Sequence, residues 1–155
     1  NKEDVVVDVG CGTGGLTIEF ARRAQKVYAV DKNREALQTT SKNLEKQGLM
    51  DKVKLIEGFA PQTLEDIPKY DILMIGGSSG ELSSIIKEGY TKLNDNGRII
   101  VTSILLETAS EAVSTFKELD ITPEVVNVSI SEGEILKRGT MMTALNPVTI
   151  ISAEK

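Results

Sequence analysis

VVVDVGCGTGG, residues 5–15, sets four valines and an aspartate ahead of a six-residue run, Gly10 to Gly15, in which four residues are glycine. Val5, Val6, Val7 and Val9 are β-branched and nearly continuous, which predicts a parallel strand covered on both faces. Gly10, Gly12, Gly14 and Gly15 then remove side chains that would hold a ligand off the main chain. Leu16, Phe20 and Ala24 follow at helical spacing. The unit reads as a strand, a glycine loop and a helix whose N-terminus faces whatever lies on the loop.

Two ligand classes use such a unit. Gly10-x-Gly12-x-x-Gly15 has the spacing of a dinucleotide fingerprint, in which a pyrophosphate rests on the helix N-terminus. Gly10-x-Gly12-x-Gly14 preceded by Asp8 resembles the first motif of the S-adenosylmethionine-dependent methyltransferases. Asp8 tilts the choice, because a carboxylate suits a ligand bearing an ammonium and a sulfonium and repels a pyrophosphate. The methionine carboxylate retains the helix N-terminus and the loop amides as partners. A glycine turn that binds nothing is the weaker reading, since four glycines in six carry an entropic cost that a plain turn avoids.

The 155 residues are of ordinary single-domain size, so residues 1–155 read as one domain. The chain begins at Asn1, without methionine and close to a central strand, which gives the expectation that an N-terminal segment is missing. Cys11 is the only cysteine, which excludes a disulfide framework and a cysteine-rich zinc site; no metal is expected, and a reducing, cytoplasmic setting fits. No apolar run is long enough for a membrane span. Acidic residues outnumber basic ones by 23 to 18 and no basic block is present, so neither nucleic acid nor a membrane is an expected partner.

Further along, KVYAVD (residues 26–31) reads as a second strand, followed by a helix capped by Asn33 and ended by Gly48. KVKLIEG and DILMIGG give a third and a fourth strand, and ELSSIIKEGYTKL places Leu82, Ile85, Ile86 and Leu93 on one helical face. GRIIVTSILL is a fifth strand. Thr108 and Glu111 have the spacing of a capping box for a helix with Ala109, Ala112, Val113, Phe116 and Leu119 inward. EVVNVSI and NPVTIISA then follow without a helix between them, which predicts a hairpin and an antiparallel last strand. The fold class is α/β: a doubly wound, mostly parallel seven-stranded sheet of the Rossmann-like methyltransferase type with a C-terminal antiparallel hairpin. A nicotinamide domain would end on a sixth parallel strand instead.

Asp31 ends the second strand beside the glycine loop, where a carboxylate can accept from both hydroxyls of a ribose. That placement supports an adenosine diol without choosing between cofactors. The chain has no histidine, so a neutral-pH general base would have to be a perturbed carboxylate or lysine, and no catalytic residue is assigned. IGGSSGEL after the fourth strand lacks the Pro-Pro-aromatic motif of methyltransferases that act on exocyclic amines.

DVGCGTGG, IGGSSGEL, GRIIVTSILLET and KRGTMM…NPV together resemble the decarboxylating cobalt-precorrin-6B C(15)-methyltransferases of anaerobic cobalamin biosynthesis, archaeal type, over essentially the whole chain. The resemblance implies S-adenosyl-L-methionine as cofactor, contacted by Gly10, Cys11, Gly12, Thr13, Gly14, Asp31 and Ala60, to which the strand-end reading adds Asp8. It implies a small-molecule tetrapyrrole substrate, methylated at carbon 15 and decarboxylated at an acetate side chain to give cobalt-precorrin-7. Gly77, Ser78 and Arg138 are the candidate substrate contacts. Gly58, Phe59 and Ala60 would lie beside adenine; Phe59 stands where relatives often carry an acid, so recognition there rests on apolar contact and backbone groups such as the Ala60 amide. The segment EGEILKRG is expected over the cofactor side, with Lys137 and Arg138 meeting substrate carboxylates. The resemblance also implies a homo-oligomer, a homotetramer built partly through the terminal hairpin. A methyltransferase for another small molecule, an NAD-binding oxidoreductase domain and a non-catalytic cofactor-binding module remain as alternatives.

Overall fold

A computed structural model describes residues 1–155. In chain order the elements are β1 (Val5–Val9), α1 (Gly15–Arg23), β2 (Lys26–Asp31), α2 (Arg34–Gln47), β3 (Val53–Glu57), β4 (Tyr70–Ile75) and α3 (Leu82–Lys92). They continue with β5 (Leu93–Ser103), α4 (Leu106–Glu118), β6 (Glu124–Val128), β7 (Ser131–Leu136), β8 (Gly139–Ala144) and β9 (Val148–Glu154). Seven strands form one sheet in the order β3-β2-β1-β4-β5-β9-β6, while β7 and β8 form a separate ribbon. β3, β2, β1, β4 and β5 are mutually parallel, and β9 runs antiparallel to both β5 and β6.

The pleat of β1 explains the two-sided core. Val7 and Val9 face one layer with Leu73, Ile85, Ile86 and Phe116, while Val6 faces the other with Ala21, Leu37 and Leu44. Every valine of β1 after Val5 is buried, as a central parallel strand requires. Asn33 caps α2 as expected: its side-chain oxygen accepts from the amides of Glu35 at 2.9 Å and Ala36 at 3.4 Å. Gly48 ends the same helix at φ 66°.

Four details differ from the sequence expectations. Strands and helices are expected to alternate along the chain, but the connection from β3 to β4 holds only a 3₁₀ turn at Gln62–Leu64. α1 buries Thr17 and Ala21, with Ala24 just beyond its end, an i, i+4, i+7 face that leaves Leu16 47% exposed one position round the helix. α4 starts at Leu106, with no side-chain cap; Glu111 instead accepts from the amide of Ser83 at 3.2 Å and ties α4 to α3. Its inner face does hold Ala109, Ala112 and Phe116. Finally, β6 and β9 pair as the predicted hairpin, but their connection is itself the β7–β8 ribbon.

Candidate functional site

Parallel strands on either side of a reversal in strand order leave a crevice at their carboxyl ends. Here the reversal lies between β1 and β4. The loop after β1 and the loop after β4 meet in it: the Gly76 amide donates to Val9 O at 2.9 Å. Gly10 adopts φ 73°, and a Cβ on it would lie 2.6 Å from the Gly77 nitrogen. Only glycine permits that approach.

The glycine loop is held from outside the crevice. Thr40 Oγ1 donates to Gly12 O at 2.8 Å, and Asn43 Nδ2 donates to Thr13 O at 3.0 Å. On the inner side, the Gly10 and Cys11 amides donate to Val30 O, the Gly14 amide to Cys11 O, and the Gly12 amide to Asp31 Oδ2 at 2.9 Å. Four loop amides are thus already engaged by the protein, which corrects the expectation that they stand free for an anion. Asp31 Oδ1 also accepts from the Asn33 amide at 2.9 Å. A carboxylate has about four acceptor positions, so roughly two remain on Asp31.

A cavity of about 760 Å³ opens over this edge. Val9, Gly10, Val30, Asp31 and Lys32 line it on one side, Gly58, Phe59, Ala60, Gln62 and Thr63 on another, and Gly77, Ser78, Ser79, Glu81 and Ile85 complete it. Phe59 is 61% exposed, with the Lys32 ammonium 5.7 Å from its ring centroid. A second cavity of about 540 Å³ lies across the loop after β4, bounded by Val101–Leu105, Thr108 and Val148. The two cavities share Gly77, Ser78 and Ser79 as a wall. Ser79 at φ 52° and Gly80 at φ 89° make the sharp turn that forms it.

Of the residues singled out in the sequence, Gly10, Asp31, Gly58, Phe59, Ala60, Gly77 and Ser78 line the first cavity, and Gly77 and Ser78 line the second as well. Cys11, Gly12, Thr13 and Gly14 line neither; they build the turn beneath. Asp8 also lines neither. It shares the face of Val6 and is buried under α1, where it accepts from Thr17 Oγ1 at 2.6 Å. Burial raises its pKa to about 6; the Thr17 bond opposes that shift and the Asp31 charge adds to it. The direct ligand contact expected of Asp8 is therefore replaced by a contact inside the fold. Burial, aided by the Asp8 and Asp31 charges, pushes the Cys11 thiol up to about 12, so it stays protonated near neutrality.

Arg138 sits between β7 and β8 and lines neither cavity of its own chain. Only the root of the ribbon segment, at Val148, reaches the second cavity. Gln62 and Thr63 line the first cavity outside every motif, so sequence spacing carries no signal for them; Ser79, Ile104 and Leu105 belong to IGGSSGEL and GRIIVTSILLET, although nothing in those stretches marks them individually. No group of three or more His, Cys, Asp or Glu side chains is arranged to hold a metal ion. No helix is long and apolar enough to cross a membrane.

Comparison with known proteins agrees with this layout. The precorrin methyltransferase domain matches residues 1–155. A protein of Methanothermobacter thermautotrophicus named "Probable cobalt-precorrin-6B C(15)-methyltransferase (decarboxylating)" is 51% identical over 97% of this chain and 78% of its own length. One of the same name from Methanobrevibacter smithii is 49% identical over 98% of this chain and 81% of its own. Among solved structures, a precorrin 8W decarboxylase of Methanobacterium thermoautotrophicum superposes with TM-score 0.96 at 50% identity, covering 99% of this chain and 82% of that one. A precorrin-6y C5,15-methyltransferase of Geobacter metallireducens gives TM-score 0.94 at 31% identity, covering 100% and 82%. Fold, crevice and relatives converge: the chain belongs to the precorrin methyltransferase family.

Proposed function

We propose that this protein methylates carbon 15 of cobalt-precorrin-6B and promotes loss of carbon dioxide from an acetate side chain, using S-adenosyl-L-methionine and yielding cobalt-precorrin-7. The observation that supports it best is the pair of cavities divided by Gly77, Ser78 and Ser79. One has the size and lining for a nucleoside, with a ribose-competent carboxylate at Asp31. The other carries the apolar edges of Ile104, Leu105 and Val148, suited to the face of a macrocycle. Direct in-line transfer needs the two ligands to meet at the edge that Gly77, Ser78 and Ser79 share, where no bulky side chain stands.

The residues present fit the cofactor. Asp31 retains acceptor capacity for the two ribose hydroxyls, Phe59 and Ala60 border the space for adenine, and the Gly10–Gly77 approach leaves main chain exposed where a Cβ would intrude. In this reading Gly12, Thr13 and Gly14 shape the turn, and Cys11 fills the space beneath it. Asp8 acts on the site through Thr17 and α1. When bound, S-adenosylmethionine supplies an electrophilic methyl whose bonding electron pair leaves with sulfur.

This chain's own part is alignment and exclusion of water, which an electron-rich ring carbon needs more than it needs a base. Loss of carbon dioxide leaves its electron pair in the conjugated macrocycle, which the protein has only to hold in place. That economy suits a chain without histidine whose single thiol is buried. Gly77 and Ser78 would touch the tetrapyrrole; Arg138, outside both cavities of its own chain, would meet one of its carboxylates bidentately only from the ribbon of another copy in the proposed oligomer. The ribbon's exposed apolar residues support a homo-oligomer; the tetramer is what the family resemblance implies, and a cytoplasmic setting fits the single, buried cysteine.

Titration calorimetry followed by incubation with methyl-labelled cofactor tests the reading. Binding of S-adenosylmethionine without binding of NADH, and label recovered in cobalt-precorrin-6B, are the expected results. Binding of NADH alone would restore the oxidoreductase alternative.

A further inference from the structure

Asp31 and Glu81 are the only acidic residues lining the first cavity. Asp31 ends β2 and is tied to Gly12 and Asn33. Glu81 follows β4, three strand positions from β3, which is about 14 Å along the sheet at ~4.8 Å per strand. Residues Gly58 to Thr63 of the β3–β4 connection include no carboxylate, and the carboxylate of neighbouring Asp31 is turned to the Gly12 and Asn33 amides. The hydroxyl among them belongs to Thr63, a half-buried residue of the cavity wall whose oxygen is turned away from the open space. Thr63 Oγ1 is the one buried side-chain polar atom in the chain without a hydrogen-bond partner.

A hydroxyl left shielded and unpaired is costly, so a rotamer that turns it toward a bound ligand gains a partner that the present one lacks. The Thr63 amide donates to Phe59 O at 3.0 Å, which sets the side chain one turn beyond Phe59. Thr63 Cγ2 occupies the space over Gly58, 2.4 Å from where a Cβ would stand. Rotation about Cα–Cβ exchanges methyl for hydroxyl in that space, and threonine has two accessible rotamers of comparable energy.

We propose that Thr63 contacts the nucleobase, and that its hydroxyl makes the site indifferent to whether the purine carries an amino or an oxo group at its 6-position. The proposal rests on the nucleoside reading of this cavity. A carboxylate only accepts and so selects an amino group, whereas a hydroxyl accepts from an amino group or donates to an oxo group. Phe59 stacks without reading either one.

Titration calorimetry of wild type and Thr63→Val with S-adenosylhomocysteine and S-inosylhomocysteine tests this. Valine is close to isosteric and removes an unpaired hydroxyl, so the variant is expected to melt no lower than wild type. Wild type is expected to bind the two ligands within about threefold of each other, and Thr63→Val to bind both about three- to tenfold more weakly. A wild-type preference for the adenosyl ligand above about tenfold would overturn the proposal, as would wild-type affinities in the variant. If wild type bound neither ligand, the nucleoside reading itself would fall and take the proposal with it.

Discussion

A methyl group on Gly10 would lie 2.6 Å from the backbone nitrogen and 2.8 Å from the Cα of Gly77. The two loops that form the crevice are therefore in register only while Gly10 has no side chain. Gly10→Ala also places an L-residue at φ 73°. Together, strain and overpacking should cost about 2–4 kcal/mol of stability and separate the loops. Urea unfolding and calorimetric titration with S-adenosylhomocysteine check both effects; a variant of native stability and affinity would show that the close approach is dispensable.

Asp31 has two duties that can be separated. Asp31→Asn keeps an oxygen for one backbone amide but gives up the charge and one acceptor, so ribose binding should fall by about ten- to a hundredfold, a loss of ~1.5–3 kcal/mol. The melting temperature should drop by only a few degrees. Unchanged affinity in the folded variant would remove the ribose from Asp31.

Asp8 gives the fold a pH dependence opposite in sign to that of a salt-bridged carboxylate. Its folded pKa of about 6 lies above the ordinary 3.8, so the native state binds the proton more tightly than the unfolded chain. Its effect on stability is therefore most favourable at low pH and is lost as pH rises through that window, by up to about 3 kcal/mol. Asp8→Asn, whose amide oxygen can still accept from Thr17, should gain stability relative to wild type between about pH 4.5 and about pH 7.5. Denaturant unfolding at both values measures the difference; a constant gap between the two proteins would show that Asp8 does not titrate there.

Most of the fold was legible in the sequence because it is written in strong local signals. Four valines before a glycine loop fix β1, the Asn33 and Gly48 caps fix α2, and the missing helix after Val128 announces the reversed β9. Tertiary context supplied the rest. Thr108 and Glu111 have the spacing of a cap, but Glu111 is drawn across to the Ser83 amide. Asp8 sits in a cofactor motif, yet the pleat sends its side chain under α1. Thr63 had no signal at all, since its value lies in what Gly58 lacks.

The β7–β8 ribbon pairs Ile135 with Thr140 and Gly133 with Met142, leaving Ile135 88% and Met142 62% exposed. A two-stranded ribbon with so much apolar surface is marginal alone and gains by docking on copies of itself. If the proposed homo-oligomer forms through the ribbon, Ile135→Lys should shift the sedimentation profile to smaller species while the Rossmann-like body keeps its circular dichroism. A monomeric wild type at micromolar concentration would remove the ribbon from assembly.

The central claim is tested most directly by mass spectrometry of the tetrapyrrole after incubation with the protein and S-adenosylmethionine, starting from cobalt-precorrin-6B. The expected product has gained one methyl, located at carbon 15 by carbon-13 labelling of the donor, and has lost one carbon dioxide. Recovery of unchanged cobalt-precorrin-6B from a reaction in which the protein demonstrably binds the cofactor would contradict the account.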